Sequence, residues 1–160
     1  MSHVVSCKLE IKSLTALKKA CERLGLTFNE NKKNWRWYGT WVNDYSANDA
    51  AYKNGVPASK YGTSDSGVIS IVGNNTAYEA GLYRNNDDTY SLAYDFYGGQ
   101  GAELQRVLGK NAENLENAYA IEAVREQAQE FVDAHAGEGW FIEEEQKKDE
   151  TFIYVRQIEY

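Results

Sequence analysis

Three features of the sequence predict an α+β domain. Segments alternating apolar and polar residues with period two stand at both ends and in the middle of the chain. Gly/Asn/Asp clusters separate the middle ones closely enough for an antiparallel meander. Two other stretches repeat apolar residues at spacings of three and four, the signature of amphipathic helices. Together they give an antiparallel sheet of about five to seven strands with two main helices packed on one face, in the order β-α-β(3–4)-α-β-β. The 160 residues are expected to form a single domain, burying roughly 69% of the unfolded chain's surface, with a loop insertion at residues 43–67.

The opening strand covers residues 4–11, with Val5, Cys7, Leu9 and Ile11 on one face. Ser13 is an N-cap, Leu14, Leu17, Cys21 and Leu24 form the apolar stripe of a helix over residues 14–24, and Gly25 stops it. Cys7 and Cys21 both fall on inward positions and read as small buried hydrophobes. From Trp35 to Val42 the alternation returns and predicts a strand. Trp35, Trp37 and Trp41 then pack under the helices, and Arg36 and Tyr38 face outward. Residues 43–67, which include the only proline, Pro57, break the pattern. A structureless loop of that length is uncommon in a compact domain and marks an insertion, a lid or a binding loop.

Strands resume over 68–72, 77–84 and 89–97, joined by Gly73-Asn74-Asn75 and Asn85-Asn86-Asp87-Asp88. After Gly98-Gly99-Gln100-Gly101, Leu104 and Leu108 indicate a short helix. Leu115, Ala118, Ile121, Val124, Ala128, Phe131 and His135 indicate a long one over 112–134, stopped by Gly137 and Gly139. Residues 140–145 and 151–158 form a closing hairpin across Lys147-Lys148-Asp149.

Charge narrows the partners. Seventeen basic against 24 acidic side chains give a formal net charge of −7. The chain therefore lacks the basic surface from which nucleic-acid binders draw most of their affinity, and anionic membrane surfaces would repel it. No apolar run approaches the roughly 20 residues of a membrane span. Met1-Ser2-His3 leading into a strand does not have the form of a secretory leader. A cytoplasmic protein is expected.

No catalytic set is legible, which argues against an enzyme. Of the two histidines, His135 falls in register with the apolar face at the end of the long helix, where packing or the helix dipole accounts for it. No His-x-His, His-x-x-His or Cys-x-x-Cys spacing supports a transition-metal site, and Asn85–Asp88 lacks the ligand spacing of a calcium loop. No metal or cofactor is expected. Glu143 and Glu145 share a strand face, where repulsion raises a pKa or holds a cation, but a solvated hairpin edge is the simpler account. Gly98–Gly101 before a helix places backbone N–H groups where an anion could sit, making Gly99 and Gly101 weak anion-binding candidates. The Lys-Ser/Thr of a P-loop and the G-x-G-x-x-G spacing are both missing. What remains is polar and aromatic. Arg36, Tyr38, Arg84, Asp95 and Tyr97 on predicted strands, with Tyr45, Tyr52 and Tyr61 in the insertion, form the candidate ligand- or partner-binding set. Tyrosine supplies large contact area at little entropic cost.

Three segments taken together resemble a known family. Met1-Ser2-His3 with the run Leu14-Thr15-Ala16-Leu17-Lys18-Lys19-Ala20, then Tyr78-Glu79-Ala80-Gly81-Leu82 leading to Tyr90-Ser91-Leu92-Ala93-Tyr94-Asp95, then Asn117-Ala118-Tyr119-Ala120 with Gly139-Trp140, are similar to the uncharacterised "hypothetical chloroplast reading frame thirty-five" family of plastids, cyanobacteria and phages. The resemblance implies a fold family and no reaction. It places Gly81, Asp95 and Tyr119 at family-patterned positions. The residues around 43–67 and the Tyr/Asn-rich meander depart from the family and mark a divergent, phage-borne member. The function expected is a non-catalytic binding or adaptor module, holding a protein or small-molecule partner with the exposed sheet face and the 43–67 loop. In its narrower form it is a phage accessory protein acting on a host protein in the host cytoplasm; a plastid-encoded member would act in the stroma. The alternative is a small enzyme or sponge for a phosphorylated or nucleotide-like ligand, anchored at Gly98–Gly101 with Arg36 or Arg84 as cation and Asp95 as acid/base.

Overall fold

A computed structural model describes residues 4–41 and 61–159. Their elements are β1 (Val4–Ile11), α1 (Leu14–Arg23), β2 (Leu26–Asn29), the one-turn α2 (Tyr38–Trp41), β3 (Val68–Ile71), β4 (Ala80–Arg84), β5 (Tyr90–Asp95), α3 (Gly98–Leu108), α4 (Glu113–Ala134), β6 (Trp140–Lys147) and β7 (Glu150–Gln157). Five strands form one antiparallel sheet in the order β1-β5-β4-β3-β2, and β6-β7 is a separate two-stranded sheet. The expected α+β architecture is the one the chain adopts.

Local chemistry sets the ends of α1. Ser13 Oγ accepts the Ala16 N–H at 3.1 Å, and Gly25 takes the left-handed φ of +75° that ends the helix. From α4, Tyr119 reaches back to this junction, and its hydroxyl accepts the Lys12 and Ser13 N–H groups at 2.9 and 3.2 Å. One core lies between the helices and the sheet. Leu17 and Cys21 of α1, Leu104 and Leu108 of α3 and Leu115 of α4 meet Ile11, Leu26, Ile69, Leu82 and Leu92. Each fully buried leucine or isoleucine contributes about 1.5–3 kcal/mol relative to exposure.

The sequence misses β2, because four residues are too few for alternation to stand out. Its Leu26 and Phe28 nevertheless alternate inward, opposite Ile71 and Ile69 of β3. The inward row predicted for β1 holds in part. Ile11 is buried and Cys7 half-buried against this core, whereas Val5 is exposed. A register irregularity sets Tyr90 opposite Leu9, Glu10 and Ile11 in turn.

The larger correction concerns residues 35–42. No strand forms there among the described residues. Residues 35–37 run irregularly into α2, with an isolated bridge from Asn34 to Thr63. Trp35 and Trp37 do not lie under the helices either, and the side chain of Trp41 lies outside what is described. Trp35 and Trp37 cover the opposite face of the sheet with Tyr61, over Val4, Val68, Tyr83 and Ala93. The period-two signal was real but misassigned: the segment is laid across the sheet instead of paired within it. Consequently the sheet centre is buried on both faces.

Candidate functional site

The second face is organised by two buried carboxylates. Gly81 pairs with Ala93, so Glu79, just before β4, and Asp95, at the end of β5, lie level with each other two residues further along. Both are almost completely buried. Each holds one backbone N–H of the overlying segment: Arg36 N–H donates to Glu79 Oε1 at 3.0 Å, and Tyr38 N–H to Asp95 Oδ2 at 2.9 Å. Residues 36 and 38 point their N–H groups down while Trp35 and Trp37 bury their rings beside them. That alternation is why the sequence read as a strand.

Glycines make room for the indoles. A Cβ on Gly81 would sit 2.4 Å from Trp35 Nε1, and one on Gly62 would sit 2.5 Å from Trp37 Nε1. Trp35 Nε1–H donates to the Thr63 carbonyl at 3.0 Å, and the Tyr83 hydroxyl donates to that same carbonyl. Burial pushes the Tyr83 pKa up to about 12, against the lowering effect of its hydrogen bond with Trp35.

Glu79 is also the charge centre of the face. Lys32 Nζ lies 2.7 Å from Oε2, Arg36 Nη1 3.4 Å from Oε1, and the Ser70 hydroxyl donates to Oε2. Burial alone raises a carboxyl pKa. Here the hydrogen bonds from Lys32, Ser70 and the Arg36 N–H, with the Arg36 charge, outweigh it and hold Glu79 below the usual carboxylate range. A cleft of 340 Å³ opens beside this cluster, lined by Lys32, Arg36, Trp37, Thr40, Tyr61 and Glu79 among others.

Around Asp95 the surroundings are phenolic. Its second oxygen accepts the Tyr97 N–H at 2.9 Å. Tyr38 and Tyr97 meet edge to face, with ring centres 5.2 Å apart. Burial first, then the Asp95 charge and the two neighbouring tyrosines, raise the pKa of Tyr78. Tyr97 is 50% exposed, the accessible rim of the cluster.

The residues singled out from sequence are thus divided. Arg36, Tyr38, Tyr61, Asp95 and Tyr97 converge on one end of the second face. The expected outward position of Arg36 is corrected: its guanidinium turns inward to Glu79 and to the Ala77 and Asn74 carbonyls, at 3.0 and 3.3 Å for the latter two. Tyr61 is 94% buried against Trp37, its hydroxyl without a hydrogen-bond partner among the described residues. Arg84 lies at the other end of the β4–β5 pair, opposite Tyr90, where it pairs with exposed Asp88 at 2.6 Å. At about 3.3 Å per residue it stands roughly 16 Å along the strand from Asp95. Gly101 is explained by packing, since a Cβ there would come within 2.2 Å of the Phe96 carbonyl carbon, while Gly99 is open. Tyr45 and Tyr52 lie outside the described residues.

Sequence reasoning missed Lys32, Glu79 and the covering role of Trp35 and Trp37. The available signal was Glu79 itself, a charge within the apolar run Ala77–Tyr83, which has to be paired if that run is buried. Among the described residues no group of three or more His, Cys, Asp or Glu side chains is arranged to hold a metal ion, and no helix is long and apolar enough to cross a membrane. Comparison with protein-family models, with curated proteins and with solved structures gave no match.

Proposed function

We propose that the protein is a non-catalytic binding module of the chloroplast-reading-frame-thirty-five type, which takes its protein or small-molecule partner at the Glu79–Asp95 end of the second face. The observation that carries this reading is the convergence of Arg36, Tyr38, Tyr61, Asp95 and Tyr97 there, with a cleft on one side and half-exposed Tyr97 on the other. The family part of the proposal comes from the sequence resemblance, and each of its three patterned positions has a structural role. Gly81 admits Trp35, Asp95 anchors Tyr38 and Tyr97, and Tyr119 ties α4 to the β1–α1 junction. A phage accessory protein acting on a basic surface of a host protein in the cytoplasm is the narrowest form of the proposal, and the −7 charge suits it.

Tyr97→Ala and Lys32→Ala test the site, because both side chains are partly exposed and neither belongs to the buried core. Partner recovery from the native host, quantified against wild type, falls at least fivefold for either variant; the melting temperature is unchanged for Tyr97→Ala and falls for Lys32→Ala, which takes a cation from buried Glu79. Full recovery with both would remove the second face from consideration. The ligand-sponge alternative has less support. Asp95 already receives the Tyr97 N–H at the start of α3, so an anion there would meet a carboxylate, and Arg84 is at the far end of the strand. Nucleotides at millimolar concentration are expected to leave the melting temperature unchanged, whereas a ligand at 100 times its Kd would add about 2.7 kcal/mol.

A further inference from the structure

The cleft beside Glu79 holds more hydrogen-bond donors than the fold itself uses. Among the described residues its charged lining is Lys32, Arg36 and Glu79, so two cations face one carboxylate and one positive charge is left over, in a chain whose net charge is −7. The carboxylate is fully engaged. Oε1 accepts the Arg36 N–H at 3.0 Å and lies 3.4 Å from Arg36 Nη1, while Oε2 accepts Lys32 Nζ at 2.7 Å and the Ser70 hydroxyl. Those contacts occupy the about four lone pairs of an ionised carboxylate. Arg36 turns its other N–H groups to the Ala77 and Asn74 carbonyls. Lys32 is different. Its side chain is 37% exposed, and Glu79 is the one partner its ammonium has among the described residues, so further donors on it stay open.

Tyr61 is the second, independent observation. It lines the same cleft, it is 94% buried, and its hydroxyl has no hydrogen-bond partner among the described residues. A buried hydroxyl without a partner is the exception in folded proteins, because it gives up water and receives nothing in return. Phenylalanine would fill the same volume against Trp37 without that cost. Glu79 cannot serve the hydroxyl, since its lone pairs are taken. An orphaned O–H and an ammonium with open N–H groups therefore line one cleft, and no free acceptor of the Glu79 carboxylate answers them.

We propose that this cleft binds a carboxylate carried on a small apolar body, whether a free organic acid or the terminus of a partner chain, with the Lys32 ammonium and the Tyr61 hydroxyl as its donors and the rings of Trp37 and Tyr61 beside its apolar part. The inference rests on the reading of this end of the second face as a binding site, and names the chemistry the site takes. A single negative charge matches the one left-over positive charge. A phosphate ester brings a second negative charge close to Glu79, and a cation finds no free lone pair on that carboxylate. Size points the same way. At 340 Å³ the cleft is at the lower end of the roughly 300–1,000 Å³ of ligand pockets, which suits a small acid or one chain terminus better than a nucleotide.

The test uses the full chain, isotope-labelled, and follows the indole signal of Trp37 by NMR while acetate, benzoate, benzamide and phenyl phosphate are added separately up to about 20 mM. Benzoate is expected to saturate, binding at least tenfold tighter than its neutral counterpart benzamide and tighter than phenyl phosphate. Lys32→Gln and Tyr61→Phe each weaken benzoate at least fivefold, measured below their melting transitions. Without ligand, Tyr61→Phe melts no lower than wild type, because it removes only the orphaned hydroxyl, so its weaker binding is not a folding defect. A pentapeptide ending in Phe, as free acid and as amide, separates the two sources. A free-acid peptide that binds tighter than benzoate identifies a chain terminus and the reverse order a free organic acid, and either supports the proposal. No saturation by any of the carboxylates, equal binding of benzamide, tighter binding of phenyl phosphate, or unchanged benzoate affinity in Lys32→Gln or Tyr61→Phe overturns it. So does a lower melting temperature of Tyr61→Phe, which would make the hydroxyl structural. Failure of the binding-module reading shows separately, as full partner recovery by Tyr97→Ala and Lys32→Ala.

Discussion

The five-stranded sheet and the β6–β7 hairpin are both antiparallel, yet they are stabilised in different ways. The sheet centre is covered by helices on one face and by Trp35, Trp37 and Tyr61 on the other. It can therefore bury charge, with Glu79 and Asp95 held by backbone N–H groups and Glu79 also by Lys32 and Arg36. The hairpin leans on α4 with one face only, and its outer face is a ladder of exposed charge and rings. There Arg156 pairs with Glu143 and lies 4.6 Å over the Tyr154 ring, and Tyr154 donates to Glu145 at 3.3 Å. The acidic pair Glu143 and Glu145 is thus accounted for by the hairpin's own cations and hydroxyl. A lone two-stranded sheet is marginal in water, so the hairpin depends on its docking to α4. In this molecule the layers packed on a sheet, more than its pairing, set its stability.

Breaking the covering layer should have the largest effect. Trp35→Ala removes an indole that fills the space over Gly81 and donates to Thr63, and should cost about 3–5 kcal/mol by chemical denaturation. A loss under about 1 kcal/mol would mean that the second face contributes little.

Glu79→Gln comes next. The amide keeps one oxygen for the Arg36 N–H but puts an NH2 donor where Oε2 accepts from Ser70 and Lys32, and it loses the charge that Lys32 and Arg36 face, at about 1–3 kcal/mol near neutral pH. The folded-state pKa of Glu79 is depressed below its usual value of 4.5. Its contribution is therefore complete above that pH and disappears as pH falls through the depressed value. Stability of wild type and variant, followed by denaturation between about pH 6 and pH 3, should converge toward the acid end. A gap that stays constant with pH would show that the carboxylate charge does not contribute.

Arg125→Ala sharpens the other side of the comparison. Arg125 bridges Glu122 of α4 to Glu144 of β6, and Arg23 still pairs with Glu122 at 3.2 Å when it is gone. Its hydrogen bond lowers the Glu144 pKa, but the pair is solvent-screened, so the cost is under about 1 kcal/mol. Hydrogen exchange should quicken in β6 and β7 and leave β4 and β5 unchanged. The smallest effect belongs to Arg84→Ala, whose pair with Asp88 is fully exposed. The melting temperature should not move, and a measurable drop would assign this turn a role that its contacts do not show.

The sequence anticipates most of the helix-side architecture because its signals are local. Ser13, Gly25 and the stripe Leu17–Cys21 place α1 to within a residue, and the Asn85–Asp88 cluster places the β4–β5 turn. The thiols follow the same logic. Burial lifts Cys21 to about 12, and Cys7, only half-buried, is raised less far. Of the candidate site, the residue types were legible and their arrangement was not. The alternation predicts an outward-facing pair at Arg36 and Tyr38, but the first turns in to Glu79 and the second leans on Tyr97.

By itself the sequence determined the α+β class, the order of the elements other than β2 and α2, and the ends of α1 and α4, since 3.6- and 2-residue periods and capping chemistry act over a few residues. Only the tertiary structure decided which side of the sheet Trp35 and Trp37 would cover. An extended segment with alternate rings satisfies its N–H groups equally well in a strand ladder or on two buried carboxylates. Glu79 and Asp95, 43 and 57 residues further along the chain from the N–H groups they accept, settled that choice.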